Sequence, residues 1–126
     1  VIPIFIESLL KNQSPFINGD GKQSRDFTFV ENAVQANIRA LFTTDDNAIG
    51  EVFNVAVGES YSLIDLFETV KKGVGADVSV VHREERAGDV KNSLADISKA
   101  KKMLGYNPQV RFKEGMQETI DWFKNK

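Results

Sequence analysis

Two arginines, far apart in the chain, each stand beside turn-forming or small residues and short acidic or apolar anchors. Arg25 lies in Ser24-Arg25-Asp26-Phe27, and Arg86 in Arg86-Ala87-Gly88-Asp89, which Ser93-Leu94-Ala95-Asp96 follows. Such residues can answer a diphosphate. A guanidinium offers phosphate oxygens a planar fork of donors that an ammonium cannot reproduce. Asp89 can accept from a sugar or ribose hydroxyl. Taken singly, either arginine reads equally as the exposed partner of a surface ion pair, which is worth little.

Other chemistries find no residues to carry them. His82 is the only histidine and cysteine is absent, so the chain holds no Ser/His/Asp triad, thiolate nucleophile, disulfide framework or zinc knuckle. Asp45-Asp46-Asn47 lacks calcium-loop spacing and reads as a solvated helix end. Neither tyrosine forms a Tyr-x-x-x-Lys pair, because Asp65 follows Tyr61 and Val110 follows Tyr106 at the needed distance. Gly73-Val74-Gly75 is the nearest approach to a dinucleotide fingerprint, but it closes a predicted helix and Val78 stands where the third glycine belongs. No catalytic, cofactor-binding or metal-ligating residue is therefore assigned to this chain.

The elements that must position the arginines alternate between α and β. Pro3 suits a helix start, with Ile2, Phe5, Ile6, Leu9 and Leu10 on one face and Ser14-Pro15 ending it. Asn18-Gly19-Asp20-Gly21 predicts a turn between extended pieces, and Phe27-Thr28-Phe29 a strand. A helix striped by Val30, Val34, Ile38, Leu41 and Phe42 follows. Val52–Val57 is apolar almost throughout, as in a strand covered on both faces. Ser62 can cap a helix striped by Leu63, Leu66, Phe67, Val70 and Val74 that ends near Gly75. Val78–Val81 predicts a strand, Asp96 the cap of a short helix stopped by Gly105, and Phe112, Met116, Ile120 and Phe123 a last helix with Trp122 beside its stripe.

Composition bounds the reading. The chain has 126 residues, 41% hydrophobic and 27% charged, with a net charge of -2. That is one ordinary globular domain's worth, without the basic stripe that nucleic acid demands. No apolar run approaches a membrane span, and Val1-Ile2-Pro3-Ile4-Phe5-Ile6 has no basic leader or cleavage site, so a cytoplasmic location is expected. The missing initiator methionine suggests a piece of something longer.

Seven segments in order resemble the C-terminal half of the extended short-chain dehydrogenase/reductases, the nucleotide-sugar epimerases and dehydratases. After Val1-Ile2-Pro3 they are Asn18-Gly19-Asp20-Gly21, the run from Ser24 to Asn32, Val52-Phe53-Asn54-Val55-Ala56, Arg86-Ala87-Gly88-Asp89, the run from Leu94 to Ala100, Leu104-Gly105-Tyr106-Asn107-Pro108, and Glu114-Gly115. Within the family the chain is most similar to UDP-N-acetylglucosamine 4-epimerases. The resemblance implies a mixed α/β fold of helices and short strands, residues 1–126 forming a UDP-sugar-binding domain. A separate N-terminal NAD-binding Rossmann domain would be absent from it, and NAD would be the cofactor of the parent enzyme. It further implies that the Val52 strand and the Val34 helix belong against the parent's large parallel sheet, so that the chain alone would expose apolar surface and self-associate.

Carried over residue by residue, the resemblance places Arg25 and Arg86 on the diphosphate and Asp89 on a ribose hydroxyl. It places the Ile17 and Asn18 backbone on the uracil, and Val1 in the substrate pocket. Asp26, Phe27, Asp96 and Pro108 read as turn, core, cap and stop. At Ser93 the resemblance implies specificity, since UDP-glucose 4-epimerases commonly carry tyrosine there. Serine leaves room for an N-acetyl group, although Ser93 also reads simply as the surface start of the Leu94-Ala95 segment. The activity implied is 4-epimerisation of UDP-N-acetylhexosamine, with UDP-glucose also accepted. A 4,6-dehydratase or decarboxylase fragment, or a non-catalytic nucleotide-sugar-binding module, is the alternative.

Overall fold

A computed structural model describes all residues, 1–126. Helix α1 (Ile2–Leu10) starts with Pro3 in its first turn, where a missing amide hydrogen costs nothing. It buries Phe5, Ile6 and Leu9 against α3 (Leu63–Val74) and α5 (Phe112–Lys124). Leu66, Phe67 and Val70 from α3 and Phe112, Met116 and Ile120 from α5 complete this core, with Ile17 from β1 (Phe16–Asn18). Phe5 meets Phe67 edge to face at 6.2 Å. Helix α3 opens with a reciprocal cap: Asp65 N–H donates to Ser62 Oγ at 3.0 Å, and the Asp65 carboxylate accepts the Ser62 amide at 2.9 Å.

A second, smaller cluster of Ala36, Ala56, Ile97, Ala100 and Tyr106 joins α2 (Val30–Leu41) to α4 (Ser98–Leu104). Buried Asn32 anchors α2 there. Its amide donates to the Val110 carbonyl at 2.7 Å, and its oxygen accepts from Gln109 N–H at 2.9 Å and Val110 N–H at 3.1 Å. Asp96 serves as the expected cap of α4, accepting from Ser98 N–H at 2.9 Å, which holds its carboxyl below the usual range.

Sheet structure is slight. Strand β1 pairs in parallel with β4 (Val81–Arg83), matching Phe16 to Val81 and Asn18 to Arg83. Strand β2 (Ser24–Arg25) pairs antiparallel with β3 (Tyr61–Ser62). Three expectations shift accordingly. The strand predicted at Val78–Val81 begins at its last residue, because Val81 N–H donates to the Pro15 carbonyl at 2.9 Å and sets the register from there. Phe27-Thr28-Phe29 forms no strand. Asp26 ends the ladder by turning its carboxylate onto the Val57 and Gly58 amides at 3.1 and 2.9 Å. Val52–Val57 also forms no strand, since a ladder needs a neighbour and none adjoins it in this chain.

Helix α2 turns its inward face, Asn32 and Ala36, to the second cluster. The apolar stripe read from the sequence lies outward instead, with Val34 50%, Ile38 52% and Leu41 76% exposed. With Val52 at 83%, this is open apolar surface of the kind the resemblance implied.

Candidate functional site

The ends of β1 and β4 and the two-residue β2 converge on one groove. Asn18 closes β1 and leads into a turn where Gly19 takes φ 71°, and a Cβ there would come within 2.8 Å of the Glu85 side chain. Glycine therefore serves both the left-handed backbone and the close approach. Across the groove, Asp89 N–H donates to the Arg86 carbonyl at 3.1 Å, with Gly88 at φ 81° in the third position of that turn.

The loop carrying Arg86 is laced to β2. Ser24 N–H donates to the Lys91 carbonyl at 2.8 Å, Ser93 N–H to the Ser24 carbonyl at 3.1 Å, and Ser24 Oγ to Asn92 Oδ1 at 3.1 Å. Arg25 tightens the same join. Its Nη1 donates to the carbonyls of Ser24 at 2.8 Å and Val90 at 2.6 Å, and its Nη2 to Asp89 Oδ1 at 2.6 Å.

The enclosed groove has a volume of about 290 Å³ and no hydrophobic lining residue. Its walls are Asn18, Gly19, Asp20, Lys22 and Gln23 on one side, and Glu85, Arg86, Asp89, Lys91 and Asn92 on the other. An all-polar groove of this kind suits a hydrated, charged ligand more than an apolar one. Asp20 is held below its ordinary carboxyl range chiefly because it accepts the Lys22 N–H, and its other oxygen lies 3.6 Å from the Lys22 ammonium. Arg86 and Lys91 make no side-chain hydrogen bond or ion pair within the chain, although both line the groove. The reading of the arginines as surface ion-pair partners thus describes Arg25 and fails for Arg86.

The site residues named from sequence are partly brought together. Asn18, Arg86 and Asp89 line the groove, and Arg25 stands behind Asp89, bonded to it. The Ile17 side chain is buried in the main core, leaving only its backbone beside the groove. Ser93 is exposed, and its backbone is tied to β2. Val1 is not among the lining residues; it starts α1, where its carbonyl accepts from Phe5 N–H.

Sequence reasoning missed Lys22, Gln23, Lys91 and Asn92, though each flanks a residue it named. Gln23 donates to the Asn18 carbonyl at 2.8 Å and so supports the turn. Arg83 was missed as well. Its guanidinium lies 3.2 Å over the Phe16 ring, as expected for same-face residues on paired strands.

Both tyrosines are committed to structure. Tyr106 donates to the Ala56 carbonyl at 2.7 Å, and burial, with the Asp26 charge second, pushes its phenol up. Tyr61 stacks on Phe112 at 4.0 Å and donates to Glu59, and burial raises it too, with the Glu59 bond second. A raised phenol is the opposite of an activated base. No three His, Cys, Asp or Glu side chains gather as a metal site, and no helix is long and apolar enough to cross a membrane.

A family model described as GDP-mannose 4,6 dehydratase matches residues 1–119. The chain belongs to that family, and within the extended short-chain dehydrogenase/reductases it corresponds to the C-terminal part. It is 36% identical, over its whole length, to 39% of a UDP-glucose 4-epimerase from Mycolicibacterium smegmatis. Among solved structures it is 40% identical to a UDP-N-acetylglucosamine 4-epimerase from Methanobrevibacter ruminantium in complex with UDP-N-acetylmuramic acid, with TM-score 0.89 over 99% of this chain and 39% of that one. A UDP-glucuronic acid 4-epimerase from Bacillus cereus, in complex with UDP-glucuronic acid and NAD, is 32% identical with TM-score 0.91, covering 98% of this chain and 39% of its own. The chain thus spans 39% of the length of these relatives.

NAD is the cofactor of family members such as the Bacillus cereus enzyme, and the residues of this chain do not fit it. Gly73 lies inside α3 against Ile120, and Gly75 is that helix's left-handed cap, so neither links a strand to a helix N-terminus as a pyrophosphate loop requires.

Proposed function

We propose that the chain is the UDP-sugar-binding domain, residues 1–126, of an NAD-dependent UDP-N-acetylhexosamine 4-epimerase that also accepts UDP-glucose and UDP-galactose. The observation that carries this reading is the unpaired Arg86 guanidinium in an all-polar groove, beside an Arg25 already locked to Asp89. Arg86 and Arg25 take the diphosphate, Asp89 a ribose hydroxyl, and the Ile17-Asn18 backbone the uracil. Val1 and Ser93 border the sugar. Grip spent on the unchanging UDP leaves the reacting sugar free to turn.

The NAD-binding domain would be a separate, N-terminal unit of the same protein and the natural cover for the open face of α2. The reading places the enzyme in the cytoplasm, serving polysaccharide synthesis. The 126-residue chain alone is expected to leave UDP-N-acetylglucosamine and UDP-N-acetylgalactosamine unconverted. Chromatography of the two sugars after incubation with the purified chain checks this, and any conversion would sink the assignment of chemistry to another domain.

Calorimetry with UDP tests the site itself: Arg86→Ala should weaken binding by about 1.5–3 kcal/mol, the worth of a hydrogen bond to a charged group. Unchanged affinity would remove Arg86 from the site. A dehydratase or decarboxylase is the second reading, favoured by the family description itself. Product analysis with the full-length protein separates them, since only epimerisation conserves the mass of the sugar. A non-catalytic binding module would give no product from any nucleotide sugar.

A further inference from the structure

Asp89 carries two oxygens but spends only Oδ1 within the chain, on Arg25 at 2.6 Å. Its other oxygen has no protein hydrogen bond, and the residue lines the groove. Arg25 is equally divided. Of the five donors of a guanidinium, Nη1 uses both of its own on the Ser24 and Val90 carbonyls, and Nη2 uses one on Asp89. The Nε–H and one Nη2–H are left without a protein partner. Both side chains are about one-third exposed, at 30% and 35%, so ligand can reach them while water is only partly excluded.

We infer that Arg25 and Asp89 act as one unit that couples the grip on the ribose to the grip on the diphosphate, making the groove selective for ribonucleoside diphosphates over either part alone. This rests on the function proposed above. The physical reason is that each group orients the other. Arg25, pinned by two carbonyls, fixes the Asp89 carboxylate where its free oxygen can meet a hydroxyl. Asp89 in turn holds the guanidinium plane and neutralises part of its charge until an anion arrives. The pair also spans two segments that only short backbone contacts otherwise join, so loss of either partner loosens the wall on which Arg86 stands. Arg25 is in this respect a positioning residue for the hydroxyl, whatever it also gives to phosphate.

The test is calorimetry on the full-length protein with UDP, 2′,3′-dideoxy-UDP and inorganic pyrophosphate. In the wild type, removing both hydroxyls should weaken binding about tenfold, as expected for a lost bond to a carboxylate. In Arg25→Met, which keeps the stem and loses the fork, that ratio should fall to about twofold, with Arg25→Lys between the two. An Arg25 that merely supported the fold would weaken both ligands alike and leave the ratio unchanged; that result overturns the coupling.

Should Arg25→Met fail to fold, Asp89→Asn gives the reciprocal reading. It should weaken pyrophosphate, which has no ribose, several-fold. Unchanged pyrophosphate affinity in Asp89→Asn overturns the proposal, whereas absence of UDP binding by the wild type overturns the underlying function as well.

Discussion

Arg25 and Arg86 are the same residue type with opposite surroundings. One spends three donors inside the chain, the other none. Replacing Arg25 by alanine should therefore cost more than a ligand contact, because it also strands the Asp89 carboxylate. UDP affinity is expected to fall by about 1.5–3 kcal/mol, with Arg25→Lys recovering only part, since an ammonium cannot reach two carbonyls and a carboxylate in one plane. Calorimetry checks both, and full recovery in Arg25→Lys would reduce the role of Arg25 to charge alone. At Ser93 the expectation is steric: Ser93→Tyr should abolish turnover of the N-acetylated sugar by the full-length enzyme and spare UDP-glucose. Equal loss on both substrates would mean that Ser93 serves the backbone tie to Ser24 and nothing more. The two arginines were legible because their neighbours are turn and anchor residues. That one of them is sequestered was not, because its partners Val90 and Asp89 lie far along the chain and two of its three bonds go to carbonyls, which no side-chain pattern reports.

Helices obey local rules here and strands do not. Ser62, Gly75, Asp96, Gly105 and the Phe112-Met116-Ile120 stripe all do what their positions suggest, because caps and 3.6-residue stripes are properties of contiguous residues. The strand readings slipped because pairing is decided by a distant partner: Pro15 for Val81, Tyr61 and Ser62 for β2, and nothing in this chain for Val52–Val57. The cap of α3 has a pH signature. Asp65 is held below its ordinary 3.8, first by the Ser62 hydroxyl and then by the Ser62 amide. A depressed folded value gives stability that is present above about pH 4 and is lost as pH falls through the lower one. Asp65→Asn should therefore flatten the acid limb of stability below about pH 4, and urea melts across that range read it. Helix packing yields a further contrast. A Cβ on Gly115 would sit 2.8 Å from Phe29 Cβ, which cannot swing away, whereas one on Gly73 meets only the Ile120 tip. Gly115→Ala should cost about 1–3 kcal/mol through overpacking, and Gly73→Ala clearly less. Thermal melts that rank them the other way would contradict this packing.

Across the whole molecule, apolar surface is divided unevenly. Two clusters hold the interior, while Val30, Val34, Ile38, Leu41, Phe42, Ile49 and Val52 stand open, each at least 50% exposed. Contiguous apolar surface on this scale is rare on soluble monomers. The 126-residue chain is expected to self-associate as concentration rises, and Ile38→Glu to oppose it; sedimentation showing a monomer at every concentration would refute this. The groove bears on the same balance from the other direction. Its walls come from residues 18–25 and 83–93, held together by short ladders, one bridge and the Arg25 clamp. A ligand gripping both walls ties distant parts of the chain together only when they are folded, so it shifts the unfolding equilibrium by mass action. At one hundred times its dissociation constant, UDP would add about 2.7 kcal/mol to folding, and the midpoint of melting would climb with nucleotide concentration. Cellular nucleotide-sugar supply would then govern how long the protein lasts as well as how fast it works, with a starved cell clearing an enzyme it cannot use.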